Sequence, residues 1–171
     1  MINCFSIDKT EEQGNTTIMT MSELLTPELV LPRVKCASKE ELISGLMDCI
    51  YGSGRELLPD REEVLRAIQM RERIGGTLLP SGLAIPHARL GGFEGFIFAL
   101  GTSMEPLFHD GIQIRLMALI LSDQLGSSYY LPTVATLTKL SRDGEFISRL
   151  CEAENPETFL SILKEKDQEL E

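Results

Sequence analysis

A chain of 171 residues, 43% of them apolar, is long enough to build one domain around a substantial core. Its 26 acidic and 16 basic side chains leave a formal charge of -10. No block of Lys or Arg offers the electrostatic footprint that nucleic acid or anionic lipid requires, so a basic protein partner fits better.

Residues 1–20 have neither the basic start nor the continuous apolar stretch of a signal peptide, so a cytoplasmic protein is expected. Over 1–19 the chain is rich in Thr, Glu, Gln and Asn with little apolar periodicity. That reads as a flexible tail, followed by one domain over 20–171. Asn15-Thr16-Thr17 matches the glycosylation sequon, a pattern short enough to arise by chance. The segment 30–34 reads as a short strand in which Pro32, unable to donate a ladder hydrogen bond, marks an edge or a bulge.

Ser38 with Glu41 is a capping-box signature, and Leu42, Ile43, Leu46, Met47 and Ile50 follow on one helical face. That helix runs to about Tyr51 and ends in Gly52-Ser53-Gly54. Asp60 with Glu63 repeats the signature before the stripe Val64, Leu65 and Ile68, and the second helix stops near Gly75-Gly76. The period then changes: 77–79, 83–85, 96–100 and 112–121 are apolar and β-branched runs broken by Gly and Pro, read as strands of one sheet. The longest apolar run lies within the last of these and contains Arg115; it is too short to cross a bilayer, so no membrane insertion is expected. From Tyr130 helical spacing returns in Leu131, Val134, Leu137 and Leu140, then in Phe146, Ile147 and Leu150. Asn155 as cap and Pro156 at the first helical position open a last helix.

Helices at both ends, strands between them, and too few residues between strands for every connection to be a crossover helix imply an α/β fold. The expected form is a three-layer α/β/α sandwich with a mixed central β-sheet flanked by helices. Cys4, Cys36, Cys49 and Cys151 stand singly, without the spacing of a zinc site or a redox pair. No metal and no cofactor is expected.

Two histidines occur. His109 precedes Asp110-Gly111, a turn signal, and is read as a surface-turn residue. His87 lies in Ser81-Gly82-Leu83-Ala84-Ile85-Pro86-His87-Ala88-Arg89, where an apolar strand stops at a proline and leaves the imidazole at the strand end. There a ring nitrogen is exposed on a fixed backbone, which suits a nucleophile; the spacing is equally met by a histidine that merely ends a strand at the surface. Gly82 and Arg89 are candidate substrate-binding positions. Glycine lets a backbone amide approach a phosphate, yet Gly82 fits no nucleotide fingerprint and reads first as loop-forming.

The stretch around Ile85-Pro86-His87-Ala88 resembles the active-site motif of enzyme IIA domains of the fructose and mannitol class (type 2). These belong to the bacterial phosphoenolpyruvate-dependent phosphotransferase system, including its nitrogen-related regulatory branch. An arginine sixteen positions before the histidine, followed by an acidic residue, belongs to the same pattern, here Arg71 and Glu72. The resemblance runs from about residue 21 to 165. It implies that His87 accepts phosphate from a histidine-containing phosphocarrier protein, with a regulated protein or a sugar-permease IIB domain as a further partner. Regulation is favoured over sugar transport. Arg71 would offer planar, permanently charged donors to phosphoryl oxygens, although a helix C-terminus favours a solvated cation in any case.

The sequence departs from the family at two places. Many relatives carry a second histidine early in the helix after the last long strand, where this chain has Tyr130. A phenol donates one hydrogen bond but near neutral pH brings neither positive charge nor a proton-accepting nitrogen. Pro80 stands where relatives usually have glycine, stiffening the loop before the site. The alternative is therefore a regulatory protein-binding module of the same fold that no longer transfers phosphate.

Overall fold

Several helices of this chain begin where a side-chain oxygen satisfies backbone N–H groups that have no partner within the helix. The computed structural model describes residues 20–54, 58–125 and 127–170; the tail expected over 1–19 lies outside the described residues. A short α1 (Met21–Leu24) leads through a single 3-10 turn (Pro27–Leu29) into β1 (Val30–Val34). In α2 (Lys39–Gly52) Ser38 Oγ accepts from Glu41 N–H at 3.1 Å, while the Glu41 carboxylate accepts from Ala37 N–H at 2.8 Å. In α3 (Arg61–Gly75) Asp60 accepts from the N–H groups of Glu62 and Glu63.

After the sheet come α4 (Tyr130–Leu140), α5 (Gly144–Glu152) and α6 (Pro156–Leu170). Asp143 caps α5 through Phe146 N–H and Asn155 caps α6 through Thr158 N–H. The Lys166 ammonium, 2.8 Å from Asp143, and the bond from Phe146 hold the Asp143 carboxyl below the usual carboxylate range.

The sheet also contains β2 (Leu83–Ala84), β3 (His87–Leu90), β4 (Phe96–Ser103) and β7 (Leu116–Asp123), with a separate hairpin of β5 (Leu107–His109) and β6 (Ile112–Ile114). β1 runs parallel to β4, β4 antiparallel to β7, and β2 and β3 follow one another along the outer side of β7, both parallel to it. The sheet is mixed, as expected. Helices α2 and α3 pack on each other and on β1, β4 and β3; α5 and α6 pack on each other and on β1 and β4. Fully buried Leu42, Leu46, Ile50, Phe98, Met117 and Phe159 fill the space between. Both edges of the sheet carry a proline. Pro32 sits in β1 at a register shift between Leu31 and Val34, where Arg33 has φ 48° and its N–H turns to Thr102 Oγ1 at 2.9 Å.

Four strand expectations change. Residues 77–79 are not a strand: only Leu78 makes a single bridge, to Ala84, because Pro80 and Ser81 turn the chain back on itself. The run 112–121 is two strands, since Arg115 N–H leaves the ladder for Gly82 O at 2.8 Å and breaks it between β6 and β7. β5 is an additional strand, paired with β6 through the Asp110-Gly111 turn, whose φ values of 50° and 77° suit a tight hairpin. His87 opens β3 rather than standing beyond the end of a strand. In α4, Leu131 is 74% exposed and does not join the stripe of Leu137 and Leu140.

The Leu79–Gly82 turn shows how Pro80 is accommodated: Gly82 N–H donates to Leu79 O at 2.9 Å, which leaves proline's fixed φ at the position a turn favours. Gly82 itself has φ 87°, and a Cβ there would meet Gln113 O at 2.6 Å. Gly82→Ala should therefore destabilise the protein by about 2–4 kcal/mol, read as a lower urea midpoint with an unchanged slope. An unchanged midpoint would show that the turn relaxes freely.

Candidate functional site

Proline at position 86 sets the geometry around His87. Pro86 brings no N–H to the ladder, and its carbonyl accepts from Ile120 N–H at 3.0 Å, so the edge strand pauses before resuming as β3. The register with β7 is continuous across the pause, from Leu83 opposite Leu116 to His87 opposite Ile120, and Ile85 turns its backbone groups to the side of the strand away from β7. Its N–H donates to Thr77 O at 2.8 Å, and its carbonyl accepts from the Thr77 hydroxyl. The same carbonyl lies 3.2 Å from His87 Nδ1. A carbonyl oxygen can only accept, so the contact requires the proton on Nδ1 and leaves the lone pair of the neutral ring on Nε2.

The ring of His87 is half-buried above an otherwise buried backbone, with Pro86 and Ala88 on either side. Tyr130, the first residue of α4, places its ring 5.6 Å from the imidazole at an interplanar angle of 50°. Arg89 is exposed, and its Cζ lies 5.9 Å from the Tyr130 ring centroid. The structure thus brings three expected site residues together: His87, Arg89 and Tyr130. None of them lies next to a carboxylate ion-pair partner among the described residues.

Arg71 is on the last turns of α3, the helix packed against β3. Its Nη1 donates to Gly75 O at 2.7 Å, closing the helix end as cations favourably do. Glu72, the acidic residue after it, forms a buried ion pair with Lys39 and so ties the end of α3 to the start of α2. The chain from Arg71 to His87 is therefore hydrogen-bonded at successive points: Arg71 to Gly75, Thr77 to Ile85, Ile85 to His87.

Gly82 is not brought to this group. It lies at the opposite end of the β2–β3 edge, five residues of extended chain or roughly 15 Å away. Its N–H is used by Leu79 and its carbonyl by Arg115, so its groups are spent on the fold. His109 ends β5 with Nε2 3.5 Å from Asp110, in keeping with a turn residue.

Thr77 is the residue that sequence reasoning missed. Its sequence context reads as the first residue of a strand, and no periodicity points to a contact that depends on the loop folding back across eight positions. Among the described residues no group of three or more His, Cys, Asp or Glu side chains is arranged to hold a metal ion. No helix among them is long and apolar enough to cross a membrane.

A family model described as "Phosphoenolpyruvate-dependent sugar phosphotransferase system, EIIA 2" matches residues 23–166, and the chain belongs to that family. It is 27% identical to a nitrogen regulatory protein of Bradyrhizobium diazoefficiens, over 85% of this chain and 95% of that one. It is 26% identical to the 2-O-alpha-mannosyl-D-glycerate-specific EIIABC component of Escherichia coli, over 87% of this chain but only 23% of the longer protein. The chain thus spans about a quarter of one such relative and nearly all of the other. The crystal structure of nitrogen regulatory protein IIA-Ntr from Neisseria meningitidis superposes with a TM-score of 0.71, covering 83% of this chain and 97% of that one at 23% identity. That likeness establishes the fold.

Thr77→Val removes the hydroxyl from Ile85 O and is expected to cost about 1 kcal/mol of stability. It should also lower the population of the His87 Nδ1–H tautomer, read from long-range nitrogen–proton correlations, and Thr77→Ser should restore both. Identical tautomer populations in Thr77→Val and the parent protein would separate Thr77 from the histidine.

Proposed function

We propose that this EIIA-family chain is a phosphohistidine carrier whose His87 takes a phosphoryl group from a histidine-containing phosphocarrier protein and hands it on. The observation that carries the reading is the bond between His87 Nδ1 and Ile85 O, which leaves Nε2 as the free nucleophile. In the step, the Nε2 lone pair attacks phosphorus, the donor's N–P bond breaks, and its electron pair returns to the donor imidazole. The product ring keeps its Nδ1 proton on Ile85 O. That proton leaves the phosphorylated ring cationic, a good leaving group for onward transfer.

Little covalent work remains for other groups, so positioning and charge dominate. Arg71 and Arg89 are the cations assigned to the phosphoryl oxygens, and Tyr130 stands beside the ring. Exposed apolar side chains neighbour these residues in sequence: Met70 and Ile74 flank Arg71 on α3, Leu131 follows Tyr130, and Leu125 precedes α4. Isolated exposed apolar residues need no explanation, but several beside candidate site residues are what a protein docking face would use.

A regulatory role in the cytoplasm is favoured over sugar transport, supported by the likeness to a nitrogen regulatory protein over 95% of its length. A regulated protein, or a IIB domain, is the further partner. The second reading, a binding module without transfer, rests on Tyr130 in the place of the helper histidine. Partner binding that is unchanged by His87→Asp would favour it.

Incubation with phosphoenolpyruvate, the general enzyme I and the carrier protein should give an acid-labile adduct on the wild-type chain and none on His87→Ala. No label on the wild type, or equal label on the variant, would sink the carrier reading.

Ile74→Glu and Leu131→Glu are each expected to raise KM for the phosphorylated carrier by about tenfold, with kcat much less affected. An unchanged KM in both would move the docking face elsewhere.

A further inference from the structure

Three side chains meet where β3 begins. The pleat carries His87 and Arg89 to one side of the strand, and Tyr130 joins them from the first turn of α4. Tyr130 is 5.6 Å from the imidazole, centroid to centroid, and its ring centroid is 5.9 Å from Arg89 Cζ, inside the range for a cation on an aromatic face. Arg89 makes no ion pair among the described residues, whereas Arg71 commits one of its donors to Gly75 O.

The way Arg89 is held matters. A ring face attracts the charge of a guanidinium through its quadrupole and consumes none of its N–H donors. A carboxylate partner would hold the same cation more tightly but would occupy the donor fork that a phosphoryl group needs. Tyr130 thus holds Arg89 on the same side of the strand as His87 without itself using an N–H donor.

We infer that Arg89, held on the ring of Tyr130, supplies to the phosphoryl group on His87 the positive charge that a second histidine would otherwise bring, with Tyr130 acting as its positioning residue. The inference rests on the phosphocarrier reading. The phosphoryl dianion draws the guanidinium off the ring face into charge-assisted bonds, and transfer onward returns it. No proton moves in this exchange.

A consequence follows for pH dependence. Tyr130 from α4 faces both Arg89 and the imidazole, and on β7 the neutral Ser122 lies opposite Arg89 with the carboxylate of Asp123 one residue on, opposite Leu90. As side-chain types, tyrosine and arginine bring no ionisation near neutral pH, whereas histidine does. A helper histidine would add a second ionisation.

The test is rapid-quench transfer of label from the phosphorylated carrier protein to the full chain, between about pH 5.5 and 8.5, the range in which histidine titrates. Arg89→Ala and Arg89→Gln should both slow transfer by about 10- to 100-fold. Tyr130→Ala should slow it comparably, Tyr130→Phe should restore most of that loss, and the Arg89→Ala/Tyr130→Ala double variant should be no slower than Arg89→Ala alone. Tyr130→His should add a second ionisation to the profile across the range in which histidine titrates.

Normal transfer by Arg89→Gln, with label still on His87, overturns the inference and leaves the carrier reading intact. So does a Tyr130→Phe variant as slow as Tyr130→Ala, because the hydroxyl and not the ring would then be at work. Absence of label on His87 in the parent chain overturns both.

Discussion

The structure depends on one interruption: the edge strand of the sheet stops at Ile85-Pro86 and starts again at His87. Proline removes a ladder donor, and edge strands tolerate that loss because one side of them has no partner. Beside the interruption, the Ile85 carbonyl lies on the outer side of the edge strand, away from β7. There it accepts from Thr77 and from the imidazole, and the histidine tautomer follows from that contact. The open side of an edge strand becomes the element that orients the ring.

The two ends of the same edge serve different ends. At Gly82 a left-handed backbone and a carbonyl shared by Arg115 and Leu116 fasten the start of β2 to the β6–β7 junction. At His87 the side chain meets the Ile85 carbonyl and the Tyr130 ring, while the backbone carries the ladder to Ile120. A glycine that looked able to admit a phosphate is therefore used for packing, and a threonine that looked like packing is used to orient the histidine. Residue type was compatible with both assignments; only the direction of the loop separates them.

Much of the fold was legible because it rests on local chemistry. Ser38, Asp60 and Asn155 cap helices as their side chains dictate, and the apolar stripes of α2 and α5 are buried as their spacing requires. Strand limits were less legible, since they depend on partners: Arg115 divides one apparent strand by bonding across to Gly82, and Leu131 keeps helical spacing while lying outside the core. Of the site, the position of His87 and its neighbourhood with Tyr130 came through the motif and the resemblance. The Thr77 contact did not, because a hydrogen bond closed by a loop leaves no periodic trace. Nor did the stack of Arg89 on Tyr130, which requires α4 to begin over the first residues of β3.

The net charge of -10 gives that stack a wider meaning. On the proposed phosphocarrier role, an acidic protein that accepts a further dianion works against its own field, and the opposing charge has to be local and fixed. Histidine is a weak answer near neutral pH, being charged only part of the time, whereas arginine is charged always. Holding that arginine by a carboxylate would add another negative group beside the incoming phosphoryl. An aromatic ring holds it without adding charge, so tyrosine at position 130 is a chemically coherent replacement when the cation is moved to position 89. On that proposed role, the departure from the family pattern changes which side chain carries the charge, while leaving His87 and its carbonyl partner in place.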